Sequence, residues 1–272
     1  MLCDDHLHTT PLSPDSKLGL DEACRAATAA GLNRICITNH LSDKKYYPFT
    51  EQIRGWTYNR SVDDLLAFKE LIEKKRGEYP ELGIGFGIEA DYDEGTEGEL
   101  KDLLDGTGFD FVLGSAHFLD GNFAMQLNLF PHALEHYTPD ELVAAYFAKL
   151  EKATRSGLFD CLAHLDVFKR RSPESVANVD CREAVRSLAR VMKTKGLAFE
   201  FNTARFQHAA IDFHPSKELR KILFEEGVRT VTIGSDAHHA EHVGFKCLEA
   251  RDTAKKEGFQ TVYFEKRKPV PY

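Results

Sequence analysis

Gly83-Ile84-Gly85-Phe86-Gly87-Ile88-Glu89 is the stretch that decides how this chain folds. Alternate side chains of a strand take opposite faces. Ile84, Phe86 and Ile88 therefore make one bulky apolar face, and Gly83, Gly85, Gly87 and Glu89 make the other. That division suits an α/β barrel: the bulky face packs under outer helices, and the bare face looks inward. The last inward residue then arrives at the C-terminal rim, where such barrels keep their active sites. Three further runs repeat the pattern. In 34–40, Ile35 and Ile37 oppose Cys36, Thr38 and His40; in 197–202, Leu197, Phe199 and Phe201 oppose Ala198, Glu200 and Asn202. In 230–236, Val231 and Ile233 oppose Thr230, Thr232, Gly234 and Asp236. The run 109–117 breaks the rule, because Phe109, Phe111 and Leu113 share parity with His117; a bulge or an off-axis loop would account for it.

Metal-ligand residue types stand at the ends of these apolar runs: Asp5-His6-Leu7-His8, Thr38-Asn39-His40, Glu89, Ser115-Ala116-His117, Leu162-Ala163-His164 and Gly234-Ser235-Asp236-Ala237-His238. His6 and His8, two apart, present both imidazoles on one strand face. Imidazoles mixed with carboxylates suit Zn, Fe or Mn, whereas carboxylates alone would favour Mg or Ca. One His-x-His is a weak signal, but a set of such ends in one chain is a strong one.

The rest of the chain fits one barrel. Its 272 residues match the roughly 250 that a (β/α) barrel needs, with no domain-sized linker or repeat, so a single domain over 1–272 is expected. Candidate strands at 2–6, 34–38, 83–88, 109–115, 159–163, 197–201, 230–233 and 261–264 alternate with helical segments. Thr138-Pro139-Asp140-Glu141 and Thr96-Glu97-Gly98-Glu99 read as capping boxes, with Ser216 a weaker start. Gly31, Gly157, Gly196, Gly227 and Gly258 mark helix ends. The polar and aromatic stretch 41–58 reads as a long loop near a site. A net charge of −8 argues against broad nucleic-acid binding, and no apolar run approaches the ~18 residues of a membrane span. Six cysteines without Cys-x-x-Cys spacing, and a start lacking a signal-peptide pattern, lead us to expect a reducing, cytoplasmic setting.

Taken in order, these motifs resemble those of the PHP superfamily (polymerase and histidinol phosphatase), and most of all its histidinol-phosphate phosphatases. The resemblance spans nearly the whole length and includes Gly87-Ile88-Glu89-Ala90-Asp91-Tyr92, Ser115-Ala116-His117-Phe118-Leu119, Ser156-Gly157-Leu158-Phe159-Asp160 and Glu200-Phe201-Asn202-Thr203. It implies a distorted (β/α)7 TIM-like barrel with the metal site at the C-terminal strand ends. It also implies nine ligands, His6, His8, Asp15, His40, Glu89, His117, His164, Asp236 and His238, holding two to three divalent ions. Two positions depart from the pattern. Relatives with histidinol phosphatase activity usually carry an acid where this chain has Asn39, and an Arg where it has Gln207, with Arg205 two residues earlier.

The implied chemistry is hydrolysis of a small phosphomonoester, with L-histidinol phosphate favoured. Clustered divalent ions acidify a shared water and neutralise charge on the phosphoryl oxygens. Glu89 is expected to bridge two ions, one held by His6, His8 and Asp236 and the other by His117 and His164. Asp15, His40 and His238 would hold the third. Asp236 or a metal-bound water is a candidate for moving a proton to the leaving oxygen, and Lys169, Arg170 and Arg205 are candidates for contacting phosphate, Arg205 because a guanidinium fork fits phosphate oxygens. Tyr46, Tyr47 and Trp56 could wall a ring-bearing substrate, and Asp91, Asp93 or Glu51 could meet its amine. The rivals are another small phosphoester as substrate, an amidohydrolase-type barrel, which also begins with His-x-His, and a metal-binding module that has lost catalysis.

Overall fold

The computed structural model describes residues 1–42, 61–119, 123–124, 133–170, 172–204 and 213–272. Most of the 41–58 stretch, including Tyr46, Tyr47, Glu51 and Trp56, lies outside the described residues, as do Arg205 and Gln207. All eight predicted strands are present: β1 (Cys3–Leu7), β2 (Arg34–Leu41), β3 (Gly83–Asp91), β4 (Phe111–Ser115), β7 (Cys161–Leu162), β8 (Ala198–Asn202), β9 (Thr230–Gly234) and β10 (Gln260–Glu265). β5 (Phe118–Leu119) and β6 (Phe123–Ala124) pair antiparallel beyond β4, and β11 (Lys268–Pro271) returns along β10. The main sheet runs β1-β2-β3-β4-β7-β8-β9-β10-β11, parallel throughout except for β11.

The sheet curls back on itself only at the rim. Leu7 bridges Ala237, and the Asp236 and His8 amides bond to the carbonyls of His6 (2.9 Å) and Ala237 (3.0 Å). Toward its start, β9 pairs instead with β10, through Thr230 with Gln260 and Val231 with Thr261. β10 then passes beneath the barrel. Arg34 of β2 donates to the Phe264 carbonyl at 2.8 Å, and Arg267 just past β10 holds Asp160 ahead of β7 at 2.9 Å. This crossing distorts the barrel.

It also explains the odd parity of β4. Phe111 and Leu113 do face inward, joining Cys36, Cys161, Ala163, Ala198, Val262 and Phe264 in a small inner core, with Phe111 stacked on Phe264 at 5.0 Å. No bulge is needed, because β3 makes room. A Cβ on Gly87 would come within 2.8 Å of Cys36 Sγ and 3.1 Å of the Phe111 carbonyl oxygen. The bulky outer faces meet helices that include α1 (Leu20–Ala29), α2 (Val62–Glu78), α3 (Glu97–Thr107), α4 (Pro139–Ser156), the short α5 (Glu174–Ala177), α6 (Arg182–Lys195), α7 (Lys217–Glu226) and α8 (Cys247–Lys256).

The Thr138 capping box forms as expected, with Thr138 N to Glu141 at 2.9 Å and Glu141 N to Thr138 Oγ1 at 3.3 Å. Thr96 starts its helix without one. Its backbone is not extended (ψ 9°), and its hydroxyl donates backward to the Asp93 carbonyl at 3.2 Å. No helix among the described residues is long and apolar enough to cross a membrane, and all six cysteines are buried and unpaired.

Candidate metal centre

Each rim residue owes its place to a strand end. His6 is the penultimate residue of β1, and His8 follows one inward step later. His40 and Glu89 are paired partners in the β2–β3 register. His117 and His164 lie just past β4 and β7, and Asp236 and His238 lie just past β9. Asp236 takes a left-handed backbone (φ 54°), a conformation Asp tolerates better than most residues, at the turn from β9 into this rim. Asp15 arrives on the turn after β1, anchored where Thr10 N meets the Leu18 carbonyl (2.9 Å) and Lys17 N meets the His238 carbonyl (3.0 Å).

The nine residues converge. His6 Nε2 and His8 Nε2 lie 2.9 Å apart, at 3.7 and 3.2 Å from Asp236 Oδ1. Glu89 has its two oxygens on different neighbours. Oε2 faces His40 Nδ1 (2.7 Å), His6 Nε2 (3.6 Å) and His8 Nε2 (3.6 Å), while Oε1 faces His164 Nε2 (3.0 Å) and His117 Nε2 (3.5 Å). Asp15 Oδ2 lies 2.9 Å from His238 Nε2 and 3.4 Å from His40 Nε2. Among the described residues, four triads have ligand atoms within 4.8 Å of one another: His6-His8-Asp236, His6-Glu89-His164, His40-Glu89-His117 and His8-His40-His238.

These residues fit a group of divalent ions. Imidazole and carboxylate donors are the mixture Zn, Fe and Mn accept. Glu89 is fully buried, yet among the described residues neither of its oxygens has a donor in hydrogen-bonding geometry. Leaving a buried carboxylate without such partners is costly unless a cation serves it. Burial pushes Glu89 toward the neutral form, but His117, His40 and His6 outweigh it and hold it well below the usual carboxylate range. Asp236 is held down in the same way against burial, by His6, His8 and Arg170, and Asp15 by His40 and His238. Burial lowers both His6 and His8: at His6, Glu200, Glu89 and Asp236 overcome it and raise the pKa, whereas at His8 the neighbouring His40 and His238 add to it and the pKa stays depressed. The carboxylates are thus ionised and ready as ligands.

Behind the ligands stand residues that fix their orientation. His6 Nδ1 donates to Glu200 at 2.7 Å, and His117 Nδ1 lies 3.0 Å from Asp91 Oδ1, which also accepts from the His117 backbone N–H at 2.8 Å. Burial would raise the Asp91 pKa, but His117 and its hydrogen bonds, with one from Ser42, bring it to about 2. Asp91 is therefore engaged with a ligand, and the expectation that it meets a substrate amine is corrected. The inward parity of Glu200 is readable in β8; its partner is not. Asn39 plays a structural part. Its Oδ1 accepts from Thr9 N (2.6 Å) and Ser13 Oγ (3.0 Å), and Ser13 Oγ lies 3.4 Å from His8 Nδ1. An amide oxygen serves there as a carboxylate oxygen would, in a place closed to solvent.

Arg170, on the 3-10 turn Val167–Arg170 after His164, donates to Asp236 Oδ2 at 3.1 Å. Lys169 Nζ lies 5.8 Å from the Phe168 ring centroid, and its ammonium is among the charges felt by Asp166, Asp180 and Cys181. His214, which belongs to none of the sequence motifs, is fully buried with Nδ1 at 2.6 Å from Asp166 Oδ1.

The comparisons agree with this geometry. The sequence profile of the PHP domain matches residues 4–204. A probable histidinol-phosphatase of Deinococcus radiodurans is 31% identical over 273 residues, 99% of each chain. A histidinol-phosphatase of Lactococcus lactis is 28% identical, covering 94% of this chain and 91% of its own. The crystal structure of histidinol phosphate phosphatase from Lactococcus lactis, complexed with zinc, L-histidinol and phosphate, superposes with a TM-score of 0.82 at 23% identity, over 99% and 98% of the two chains. With a barrel of this architecture, a rim of this composition and a profile match across most of its length, the chain belongs to the PHP domain family.

Proposed function

We propose that this protein is a metal-dependent phosphomonoesterase that hydrolyses L-histidinol phosphate to L-histidinol and phosphate. The observation that carries the proposal is Glu89, a buried carboxylate with each oxygen turned to a different set of imidazoles. The relatives named histidinol-phosphatase, matched nearly end to end, support the substrate. So does the zinc, L-histidinol and phosphate bound in a protein of the same fold.

In this reading two to three ions of Zn, Fe or Mn are held by His6, His8, Asp15, His40, Glu89, His117, His164, Asp236 and His238. Bound there, they would supply Lewis acidity, making a water acidic enough to attack at neutral pH and screening the phosphate dianion. The protein's own groups do the rest. Arg170 holds phosphoryl oxygens with its guanidinium, and Arg205, outside the described residues, is proposed as its partner in phosphate contact. Asp236 lies between the imidazoles and Arg170, and either its carboxylate or a water held at the centre is proposed to pass a proton to the leaving alcohol oxygen. With Asp91 engaged, Asp93, which already faces Lys149 Nζ at 3.6 Å, and Glu51, outside the described residues, are the proposed partners of the substrate amine.

The deciding experiment is turnover of metal-replete protein on L-histidinol phosphate beside other phosphomonoesters, phosphodiesters and amides. Preference for L-histidinol phosphate, reduced selectively by Asp93→Asn or Glu51→Gln, is the expected result. Equal rates on all phosphomonoesters would leave only a general phosphatase, and no hydrolysis at all would leave a metal-binding module.

A further inference from the structure

Glu200 sits in β8 beneath the rim, fully buried, and is shared between two ligands. Its Oε1 accepts from His6 Nδ1 at 2.7 Å, and its Oε2 accepts from the backbone N–H of His164 at 3.0 Å and from Asn202 Nδ2 at 3.1 Å. His6 Nε2 lies 3.7 Å from Asp236 Oδ1 and 3.6 Å from Glu89 Oε2, and His164 Nε2 lies 3.0 Å from Glu89 Oε1, the other oxygen of that carboxylate. The slot for this carboxylate exists because β9 has Gly234 beside it: a Cβ there would overlap Glu200 Oε1 and the His6 Cβ. Asp91, by contrast, orients one ligand, His117.

We infer that Glu200 is a positioning residue that joins the two ion sites flanking Glu89 into one unit, so that neither site keeps its affinity without it. The inference rests on the metal-binding reading above. A carboxylate on Nδ1 fixes the His6 tautomer and makes Nε2 a better donor. The other oxygen of the same carboxylate fixes the chain at His164 and so the direction of its ring. A neutral isostere cannot do both, because an amide accepts on one side and presents N–H on the other, facing either the His6 or the His164 donor.

The test is zinc titration of metal-stripped protein against a competing chelator. Glu200→Gln should weaken two ions together by about 10- to 100-fold and leave unchanged the ion assigned to Asp15, His40 and His238. Asp91→Asn should weaken one ion only. Glu200→Asp, which keeps the charge but shortens its reach, should fall between wild type and Glu200→Gln, and circular dichroism of each stripped variant reports folding. The inference is overturned if Glu200→Gln binds every ion within about threefold of wild type, or weakens a single ion. It is also overturned if Glu200→Gln does not fold while Glu200→Asp folds and binds normally. Wild-type protein taking up less than one ion would overturn the metal reading itself.

Discussion

Glu89 has the largest chemical demand placed on it, since one buried side chain must serve both sides of the centre. Glu89→Gln keeps the shape and removes the shared negative charge. Turnover should fall by about 100-fold or more, the size typical of a lost active-site electrostatic term, with metal content reduced; near-normal values of both would contradict bridging. Arg170→Ala removes a charged hydrogen bond of about 1.5–3 kcal/mol, so kcat/KM should drop roughly 10- to 150-fold. The drop should be alike for every phosphomonoester if Arg170 reads phosphate, as proposed, and not the alcohol; a loss confined to one substrate would reassign Arg170 to specificity. The ligand types and their inward parity are legible residue by residue. Which of two inward carboxylates backs a ligand is not, because Asp91 and Glu89 share a face and only the third dimension shows His117 against Asp91. Asn39 reads as a substrate-related departure for the same reason: its contacts are with Thr9 and Ser13, distant in the chain by 30 and 26 positions.

Strands are more legible than helices. The period-two pattern locates β2, β3, β8 and β9, where bulky outward residues alternate with small or polar inward ones; β4 breaks it because Phe111 and Leu113 fill the inner core. Cap geometry depends on one backbone angle, which is why Thr138 behaves as its motif suggests and Thr96 does not. The passage of β10 under the barrel is invisible in the sequence because its partners, Arg34, Asp160 and Phe111, are far away along the chain. Helix α7 carries another such partner. Arg220, 2% exposed, bonds Glu257 with two nitrogens at 2.7 and 2.8 Å, bonds the Pro215 carbonyl at 2.9 Å, and lies over the Phe201 ring. Arg220→Met should cost near the lower end of the ~3–5 kcal/mol typical of a broken buried pair, because Glu257 retains some water. A thermal melt should show a fall of roughly 5–10 °C, and an unchanged midpoint would mean that the pair contributes nothing net. In β9, Gly234→Ala should displace Glu200 and His6 together, and it should lower zinc affinity more than it lowers the midpoint of the stripped protein; an intact zinc affinity would show that the slot can relax.

Across the protein, ion binding and folding are one equilibrium, because ligands as far apart in the chain as His8 and His238 meet only when the barrel is assembled. An ion at a hundredfold excess over its Kd stabilises by about 2.7 kcal/mol, so stripping with a chelator should lower the melting midpoint by roughly 5–10 °C, restored by Zn or Mn. A midpoint indifferent to chelation would place the ions elsewhere. The short join between β1 and β9 gives this a kinetic face. With one bridge, the Asp236 and His8 amide bonds and the Asp4 carboxylate on Ser235 (2.6 and 2.8 Å) holding that edge, the barrel resembles a hoop fastened by a hasp, and bound ions would be its pin. If an ion leaves only when that edge opens, its escape rate and the solvent exchange of those two amides should be set by a single opening event. Hydrogen–deuterium exchange at Asp236 and His8 would then serve as a clock for ion residence, and the enzyme would hold its metal longest wherever that edge breathes least.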